Sequence, residues 1–481
     1  MSSLSPNDMS KKVTYITTPI YYVNARPHIG HAYTTIAADV YARFCRVQKK
    51  ETFLLTGTDE HGLKIQKSAQ EAGKEPQKFV DEMAQNFKDL WKKLNISNDN
   101  FIQTTSKKHK EAVQKALQTL YDTGSVYKGT YAGLYCVGCE QFKNESDLVE
   151  GRCADHNTAP EKIEEESYLL KMSDVAGKIT EEILEDRFCV KPKRYKKEIL
   201  SFLENNELRD IAISRKNVSW GIPLPFDREH TTYVWADAFL NYLTGLAWDG
   251  DARKLPVQWP PEAHLIGKDI LRVHATIWPA ILLHLHIPLP KMLFVHGHLL
   301  SGGKKMSKTL GNVITIEEML EKFGVDGSRY LLLSAGMFGN DVDVTMERMT
   351  EKYNANLANG LGNLTSRVLT LAQNITYHTP NTKQITEYQV SMAKLIENFE
   401  MNKALEKVWV IVDKANKFID EQKPWELKKT DEKKFSEVME RLLQDLYFIS
   451  ELLVPFLPET AERMKKALKT RKSNILFERV K

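Results

Sequence analysis

The chain has 481 residues, 42% apolar and 27% charged, with a formal net charge of +4. At about 150 residues per domain this leaves room for roughly three domains and a sizeable core, and the composition excludes collagen-like, disordered and disulfide-stapled classes. The charge excess is too small to argue for or against a nucleic-acid partner by itself.

The N-terminal MSSLSPNDMSKK has neither an apolar signal core nor an Arg-rich amphipathic pattern, so no secretory or organellar address is expected and the location is read as cytoplasmic. Val13–Thr17 reads as a strand and Thr18–Arg26 as a loop, with Pro27 at the first position of a helix, where its missing N–H is no loss. Ile29, Ile36, Val40, Phe44 and Val47 recur at helical spacing. Phe53–Leu55 is a second strand, leading into Gly57-Thr58-Asp59-Glu60-His61-Gly62. Strand, helix and strand in this succession begin a parallel α/β sheet. Residues 63–123 read as helices. From Gly124 to Tyr168 the chain is rich in Gly, Tyr, Cys and acidic residues without helical periodicity, which predicts a small inserted module. The α/β pattern resumes with Tyr233-Val234-Trp235, His264–Gly267 and Met292–Val295, followed by a Gly-rich basic loop, Ser301–Thr309. The most apolar run, Ile277–Pro290, is broken by Pro279, His284, His286 and Pro288, and no stretch reaches the roughly 18 residues of a membrane span. From Thr345 onward only helices are expected, with core stripes Leu405, Val408, Val410, Ile411, Ala415, Phe418, Ile419 and Leu442, Leu443, Leu446, Ile449, Leu453, interrupted at Glu421–Glu426. The resulting division is an α/β domain (1–123 and 233–344), an insert (124–232) and a helical domain (345–481).

Three patterns carry chemistry. His28-Ile29-Gly30-His31 lies where a loop after the first strand enters a helix. Helix N-termini favour phosphate, and two imidazoles on one helical face can donate to its oxygens, with Gly30 opening the backbone to a flat group. Surface histidines beside a helix cap would read the same. Lys305-Met306-Ser307-Lys308-Thr309, after Gly302, Gly303 and Lys304, could close ammonium groups on a triphosphate, although such charge runs are more often solvated loops. Its glycine spacing is not that of a Walker loop. Cys136-x2-Cys139-x13-Cys153-x2-His156 has the spacing of a closed, structural zinc site with no open position, the other readings being a redox Cys-x-x-Cys or unligated thiols. Cys45 and Cys189 read as plain core residues, and the odd count of five cysteines fits a reducing compartment.

His28-Ile29-Gly30-His31 followed much later by Lys-Met-Ser-Lys-Thr resembles the signature pair of class I aminoacyl-tRNA synthetases. Thr309 stands where Ser is usual and keeps the hydroxyl. The resemblance narrows to the methionyl-tRNA synthetase family over nearly the whole chain. It is carried by Pro19–Asn24, Gly57–Gly62, Ile213-Ser214-Arg215, Trp220–Pro223, Tyr233–Ala238 and Ile266–Ile270 with His274, and the cysteine cluster is similar to that family's single zinc knuckle. What the resemblance implies is a Rossmann-like catalytic domain with a zinc-bearing connective module and a C-terminal helical anticodon-binding bundle. The activity it implies is ATP-dependent attachment of methionine to tRNA(Met) through methionyl-adenylate.

The resemblance also assigns residues. His28, His31, Lys305 and Lys308 would be catalytic, and with Gly30 would bind ATP, which brings its own Mg²⁺. Ile20, Tyr22, Trp235, Ala238, Tyr242, Ile270 and His274 would line the methionine pocket, with Asp59 taking the ammonium group. Trp235, Ala238 and Tyr242 have i, i+3, i+7 spacing and could share one helical face, which would equally suit ordinary core. A lone His274 beside Trp278 would also suit the core. Asn363, Arg367 and Trp425 would read the anticodon by edge contacts and stacking, the plain readings being a helix cap for Asn363 and a bundle-filling Trp425. Zn²⁺ on Cys136, Cys139, Cys153 and His156 would be structural. The chain ends soon after the bundle, so a monomer is expected. Ligases for isoleucine, valine, leucine or cysteine, and a zinc-bearing RNA-binding protein without catalysis, are the rival readings.

Overall fold

The computed structural model describes residues 13–138, 141–143, 145, 148–153, 157–206, 208–306, 312–375, 382–472 and 475–481. It divides into two compact units. The first holds the chain up to Pro27, Glu51–Leu90 and Asn98–Val295; the second holds His28–Lys50, Trp91–Ser97 and His296–Lys481.

The first unit is built on strands. β1 (Thr14–Tyr22), β2 (Thr52–Asp59) and β3 (Asn100–Gln103) precede the insert. Within the insert, β4 (Val126–Cys136), β5 (Gln141–Lys143) and β6 (Glu161–Leu170) form an antiparallel sheet, β4 and β6 pairing from Val126↔Leu170 to Tyr135↔Glu161. β7 (Cys189–Lys191), β8 (Ala263–Gly267) and β9 (Met292–His296) complete the central six-stranded sheet, in the order β3-β2-β1-β8-β9-β7. β1 pairs in parallel with β2 and β8, β2 with β3, and β9 with β7. Strands buried on both faces need continuous rather than alternating apolar character, which β8 has, being buried throughout. The strand order reverses between β1 and β8. In such sheets ligands sit beyond the carboxyl ends of the strands flanking that point.

Several expectations change here. β1 runs on to Tyr22 instead of giving way to a loop at Thr18, because a register shift between Thr17 and Ile20 accommodates Pro19, which has no N–H to pair. β3 and β7 are short edge strands with too little apolar pattern to be seen among the helices of 63–123 or in the insert. Tyr233-Val234-Trp235 is not a strand. Only Thr231–Thr232 is extended, and Tyr233 starts a short helix.

Helix α1 (Ile29–Val47) follows β1 in sequence and belongs to the second unit. In the first unit, α2 (Leu63–Glu71) leaves the end of β2, while α3 (Val234–Ala238), α4 (Asn241–Thr244) and α5 (Leu271–His284) follow the insert. The second unit continues with α6 (Ile316–Leu333), kinked at Gly324, and then with α7 (Asn363–Leu371), α8 (Met401–Gln422), α9 (Pro424–Thr430) and α10 (Glu432–Leu453). The α10 stripe is buried as expected. On α8 the buried positions are Met401, Ala404, Leu405, Val408, Trp409, Val412, Ala415 and Ile419, while Ile411 and Phe418 of the expected stripe are only half-buried. Val410 points outward, 47% exposed, since the 3-4-3-4 spacing passes over it.

A fully buried ion cluster holds this unit together. The Arg329 guanidinium on α6 donates to Asp39 Oδ2 of α1 (2.7 Å) and to the carbonyls of Leu94, Pro455 and Phe456. Asp39 also accepts from Arg43 and from the Ser97 amide and hydroxyl. Burial works to raise the Asp39 carboxyl, but Arg329, Arg43 and Ser97 outweigh it and the pKa is lowered.

Candidate functional site

Two groups of side chains answer to the expected chemistry, one in each unit. In the first unit, the parallel register sets Tyr22, at the end of β1, opposite Asp59, at the end of β2, with Ile20 opposite Gly57. The Tyr22 hydroxyl donates to the His61 carbonyl (3.0 Å), and Asp59 is buried. α3 and α4 replace the single helix that the spacing of Trp235, Ala238 and Tyr242 suggested, the chain turning at Phe239 and Leu240. Ala238 and Tyr242 are buried, while Trp235 keeps partial exposure.

α5 brings His274 into this aromatic group. Its ring meets Phe239 edge-on, with centroids 4.9 Å apart, and lies within 6.4 Å of Trp235 and 6.1 Å of Tyr242. His274 Nδ1 is 2.9 Å from the Ile270 carbonyl oxygen, which can only accept, so Nδ1 carries the proton and Nε2 accepts from the Tyr242 hydroxyl at 2.9 Å. Burial lowers the His274 pKa to about 4, so the ring is neutral at pH 7. Burial also raises the Tyr242 hydroxyl well above its ordinary value. His264 is neutral for the same reason and takes hydrogen bonds with Thr17 Oγ1 and the Trp278 indole. Neutral aromatic walls with one carboxylate at a strand end suit an uncharged, flexible side chain carrying an ammonium group.

Beneath these residues lies a polar network that sequence reading did not assemble. Asp237 is fully buried and holds His61 Nδ1 on one oxygen (2.6 Å) and His109 Nε2 on the other (2.7 Å), while His109 Nδ1 meets Thr244 Oγ1 at 2.7 Å. Burial alone would raise the Asp237 carboxyl. The pull of His61 and the hydrogen bonds from both imidazoles outweigh it and hold the pKa at about 2. Glu60 is buried beside it, accepting from the hydroxyls of Thr58 and Thr105 and from Gln103, and burial raises its pKa. The local signal for His109 was weak, since it is one polar residue on the apolar face shared by Ala112, Val113 and Ala116.

In the second unit, His28 is the N-cap of α1. Its Nδ1 accepts from the Gly30 amide, and His31 Nδ1 accepts from the His28 amide, both at 3.1 Å, with the two rings stacked at 3.7 Å. Pro27 therefore lies outside the helix. Both Nδ1 atoms act as acceptors, so in the neutral rings the protons sit on Nε2. A Cβ on Gly30 would come within 3.0 Å of the His28 ring. A larger residue at this position would have to displace that exposed ring. Lys305 is exposed on a short hairpin, Leu299–Ser301 pairing with Lys304–Lys305 through Gly302 and Gly303, both at positive φ. Lys308 lies outside the described residues.

Farther along this unit, Arg367 lies with its guanidinium 5.6 Å from the Trp425 ring centroid and donates to Asp420. Trp425 is 41% exposed, so it does not fill the bundle. Asn363 is exposed and not a cap, because a π-helical stretch, Tyr353–Gly362, runs directly into α7.

Of the expected metal ligands, Cys136 and Cys153 are buried, and each opens a short turn. Cys136 pairs with Gln141 across the β4–β5 turn, and the loop after Cys153 is closed by Asn157 N→Cys153 O and Cys153 N→Thr158 O. Cys139 and His156 lie outside the described residues. Cys45 is buried, whereas Cys189 is half-buried at the edge strand, which corrects its reading as core. No helix among the described residues is long and apolar enough to cross a membrane.

Residues 14–159 and 143–369 match the family described as tRNA synthetases class I (M), and residues 372–479 match the anticodon binding domain of methionyl tRNA ligase. A methionine–tRNA ligase of Clostridium acetobutylicum is 43% identical over 473 residues, covering 95% of this chain and 73% of its own. That of Rickettsia felis is 40% identical, covering 97% and 94%. Among solved structures, Mycobacterium tuberculosis methionyl-tRNA synthetase in complex with methionyl-adenylate superposes with a TM-score of 0.88 at 32% identity, covering 98% of both chains.

Proposed function

The chain belongs to the methionyl-tRNA synthetase family of class I ligases, and on that premise we propose how its residues divide the work. The reaction is ATP-dependent attachment of methionine to tRNA through methionyl-adenylate, with release of pyrophosphate and AMP. The methionine carboxylate attacks the α-phosphorus of ATP, and the terminal ribose hydroxyl of tRNA(Met) then displaces AMP. No covalent enzyme intermediate is involved, so catalysis is positioning and charge stabilisation.

Ile20, Tyr22, Trp235, Ala238, Tyr242, Ile270 and His274 hold the methionine side chain, and Asp59 holds its ammonium group. The observation that carries this reading is the placement of the β1, β2 and β8 ends, with their aromatic lining, at the point where the sheet order reverses. A neutral His274 with its proton fixed on Nδ1 adds no charge to the pocket. His28 and His31 present Nε2–H to the phosphates, Gly30 gives the His28 ring its seat, and Lys305 and Lys308 meet the charge on departing pyrophosphate, with Mg²⁺ arriving on ATP. Arg367, Asn363 and Trp425 take the anticodon, the bases stacking on the exposed indole. The segments follow as catalytic (1–123 and 233–344), connective (124–232) and anticodon-binding (345–481).

The buried thiols at the mouths of two short turns support a zinc site of Cys136, Cys139, Cys153 and His156. Bound there, Zn²⁺ supplies a cross-link between the turns and no open coordination position. Elemental analysis tests it: one zinc per chain is expected, lost in Cys139→Ser, and zinc-free purified protein would refute the site. The reading includes a monomer in the cytoplasm, which light scattering and fractionation check. The experiment for the function is exchange of pyrophosphate into ATP with each amino acid in turn. Exchange with methionine alone is expected. Exchange with a branched-chain amino acid or cysteine instead, or with none, would overturn the assignment.

A further inference from the structure

One side chain links the insert to the pocket and has no place in the reading so far. Lys64 is the second residue of α2, immediately after the Gly57–Gly62 segment at the end of β2. Its ammonium donates to the Gly138 carbonyl at 3.2 Å and lies 5.8 Å from the centroid of the Tyr22 ring. Gly138 is in the turn between Cys136 and Cys139. The neighbouring Val137 packs with Tyr22 and Trp235 against Tyr135, Tyr233 and Val234. The turn therefore shares a hydrophobic cluster with Tyr22 and Trp235 through Val137 and is joined to the Tyr22 ring through a cation at Gly138.

We propose that Lys64 is a positioning residue that couples the turn after Cys136 to Tyr22, so that order in the turn and affinity for methionine strengthen each other. The proposal rests on Tyr22 lining the methionine pocket. The physical basis is the geometry of the ammonium group. Its three N–H donors diverge, so one can serve a carbonyl while the charge faces a ring. Tyr22 is fixed at its hydroxyl by the His61 carbonyl, and the cation settles its ring face. If the turn loosens, the Gly138 carbonyl withdraws, the ammonium is free to leave the ring, and Tyr22 loses one of its constraints. Thermodynamic linkage requires the reverse as well: methionine bound against Tyr22 must order the turn by the same factor. A lysine serves here because a half-buried aliphatic stem can carry its charge across to the insert.

The test uses the full-length enzyme with Lys64→Met and Lys64→Arg. Methionine affinity is read by fluorescence titration, and the turn by hydrogen exchange of the amides in residues 132–143 with and without methionine. For Lys64→Met a methionine Kd raised about fivefold is expected, the scale of one cation–ring and one charged hydrogen bond. The rate at saturating substrates and the ATP requirement should be unchanged, because the loss is in binding and not in the chemical step. Methionine should slow exchange in the turn of wild type and of Lys64→Arg, but not of Lys64→Met. An unchanged Kd, a reduced saturating rate with unchanged Kd, or equal protection in all three proteins would overturn the proposal. Should Lys64→Met fail to fold by circular dichroism, Lys64→Gln carries the same readouts. Wild type that binds no methionine would instead overturn the function itself.

Discussion

His274 is held without charge by its surroundings, and that has a consequence for stability. An exposed imidazole takes its proton near pH 6.5, whereas this buried ring does so near 4. Between those values the unfolded chain binds a proton that the folded chain refuses, so stability falls as pH drops through the window and levels off below it. The full effect is about 3 kcal/mol as an upper bound. Denaturant titrations of wild type and His274→Gln between pH 4 and 7 should show a shallower slope for the variant; parallel slopes would mean the ring does not titrate this way. The proposed role of Lys308 is in the chemistry of the departing group. Negative charge grows on pyrophosphate as the α–β bond breaks, and an ammonium placed there gains strength only in the transition state. Lys308→Ala should slow adenylate formation by about two to three decades, the usual loss for one preorganised donor. Methionine affinity should stay the same, and transfer from preformed adenylate to tRNA should suffer less. Rapid mixing separates the steps, and a defect confined to methionine binding would refute the role.

Among the elements, the break between α8 and α9 shows how local backbone chemistry exposes an aromatic ring. Lys423 takes a left-handed conformation, Pro424 starts the next helix, and Trp425 is turned outward beside Arg367. Trp425→Ala should weaken tRNA charging by about 1–3 kcal/mol, the value of one base stacked on an aromatic ring. Pyrophosphate exchange without tRNA should be unaffected; equal damage to both would make Trp425 a structural residue. This break was legible in the sequence because Lys-Pro-Trp interrupts two helical stripes. The central strands β2, β8 and β9 were legible from their apolar runs, and the α10 core from its spacing. What stayed hidden depended on distant partners. β3 and β7 owe their extended form to neighbours in the sheet. The turn between α3 and α4 is set by aromatic packing around His274, and the His61–Asp237–His109 network joins residues up to 176 positions apart. The role of His28 as cap was open in the sequence, because a histidine before a helix can serve a ligand or the helix. Here Nδ1 serves the helix, which leaves Nε2 outside the cap.

Over the whole molecule, the expected methionine residues all lie in the first unit, and the expected phosphate and anticodon residues among those described all lie in the second. The second unit is assembled from three separate stretches of chain, closed by Arg329. Replacing this guanidinium with Met would leave Asp39 with Arg43 and Ser97 but remove the donor from the three carbonyls of Leu94, Pro455 and Phe456. Breaking a buried ion pair from one side typically destabilises by about 3–5 kcal/mol. Arg329→Met should therefore lower the melting temperature sharply, and adding Asp39→Leu should recover part of the loss; a melt equal to wild type would refute the cluster's role. The same cluster sets a timetable for biosynthesis. Asp39 and Arg329 are 290 positions apart, and the carbonyls of Pro455 and Phe456 come later still. At about 5–20 residues per second, roughly 15 to 60 seconds pass between the emergence of the carboxylate and that of its guanidinium. Throughout that interval α1 has been made and α6, against which it packs, has not. The segment that carries His28 and His31 thus waits for its buried guanidinium, and a nascent chain stalled before residue 329 leaves Asp39 without that partner.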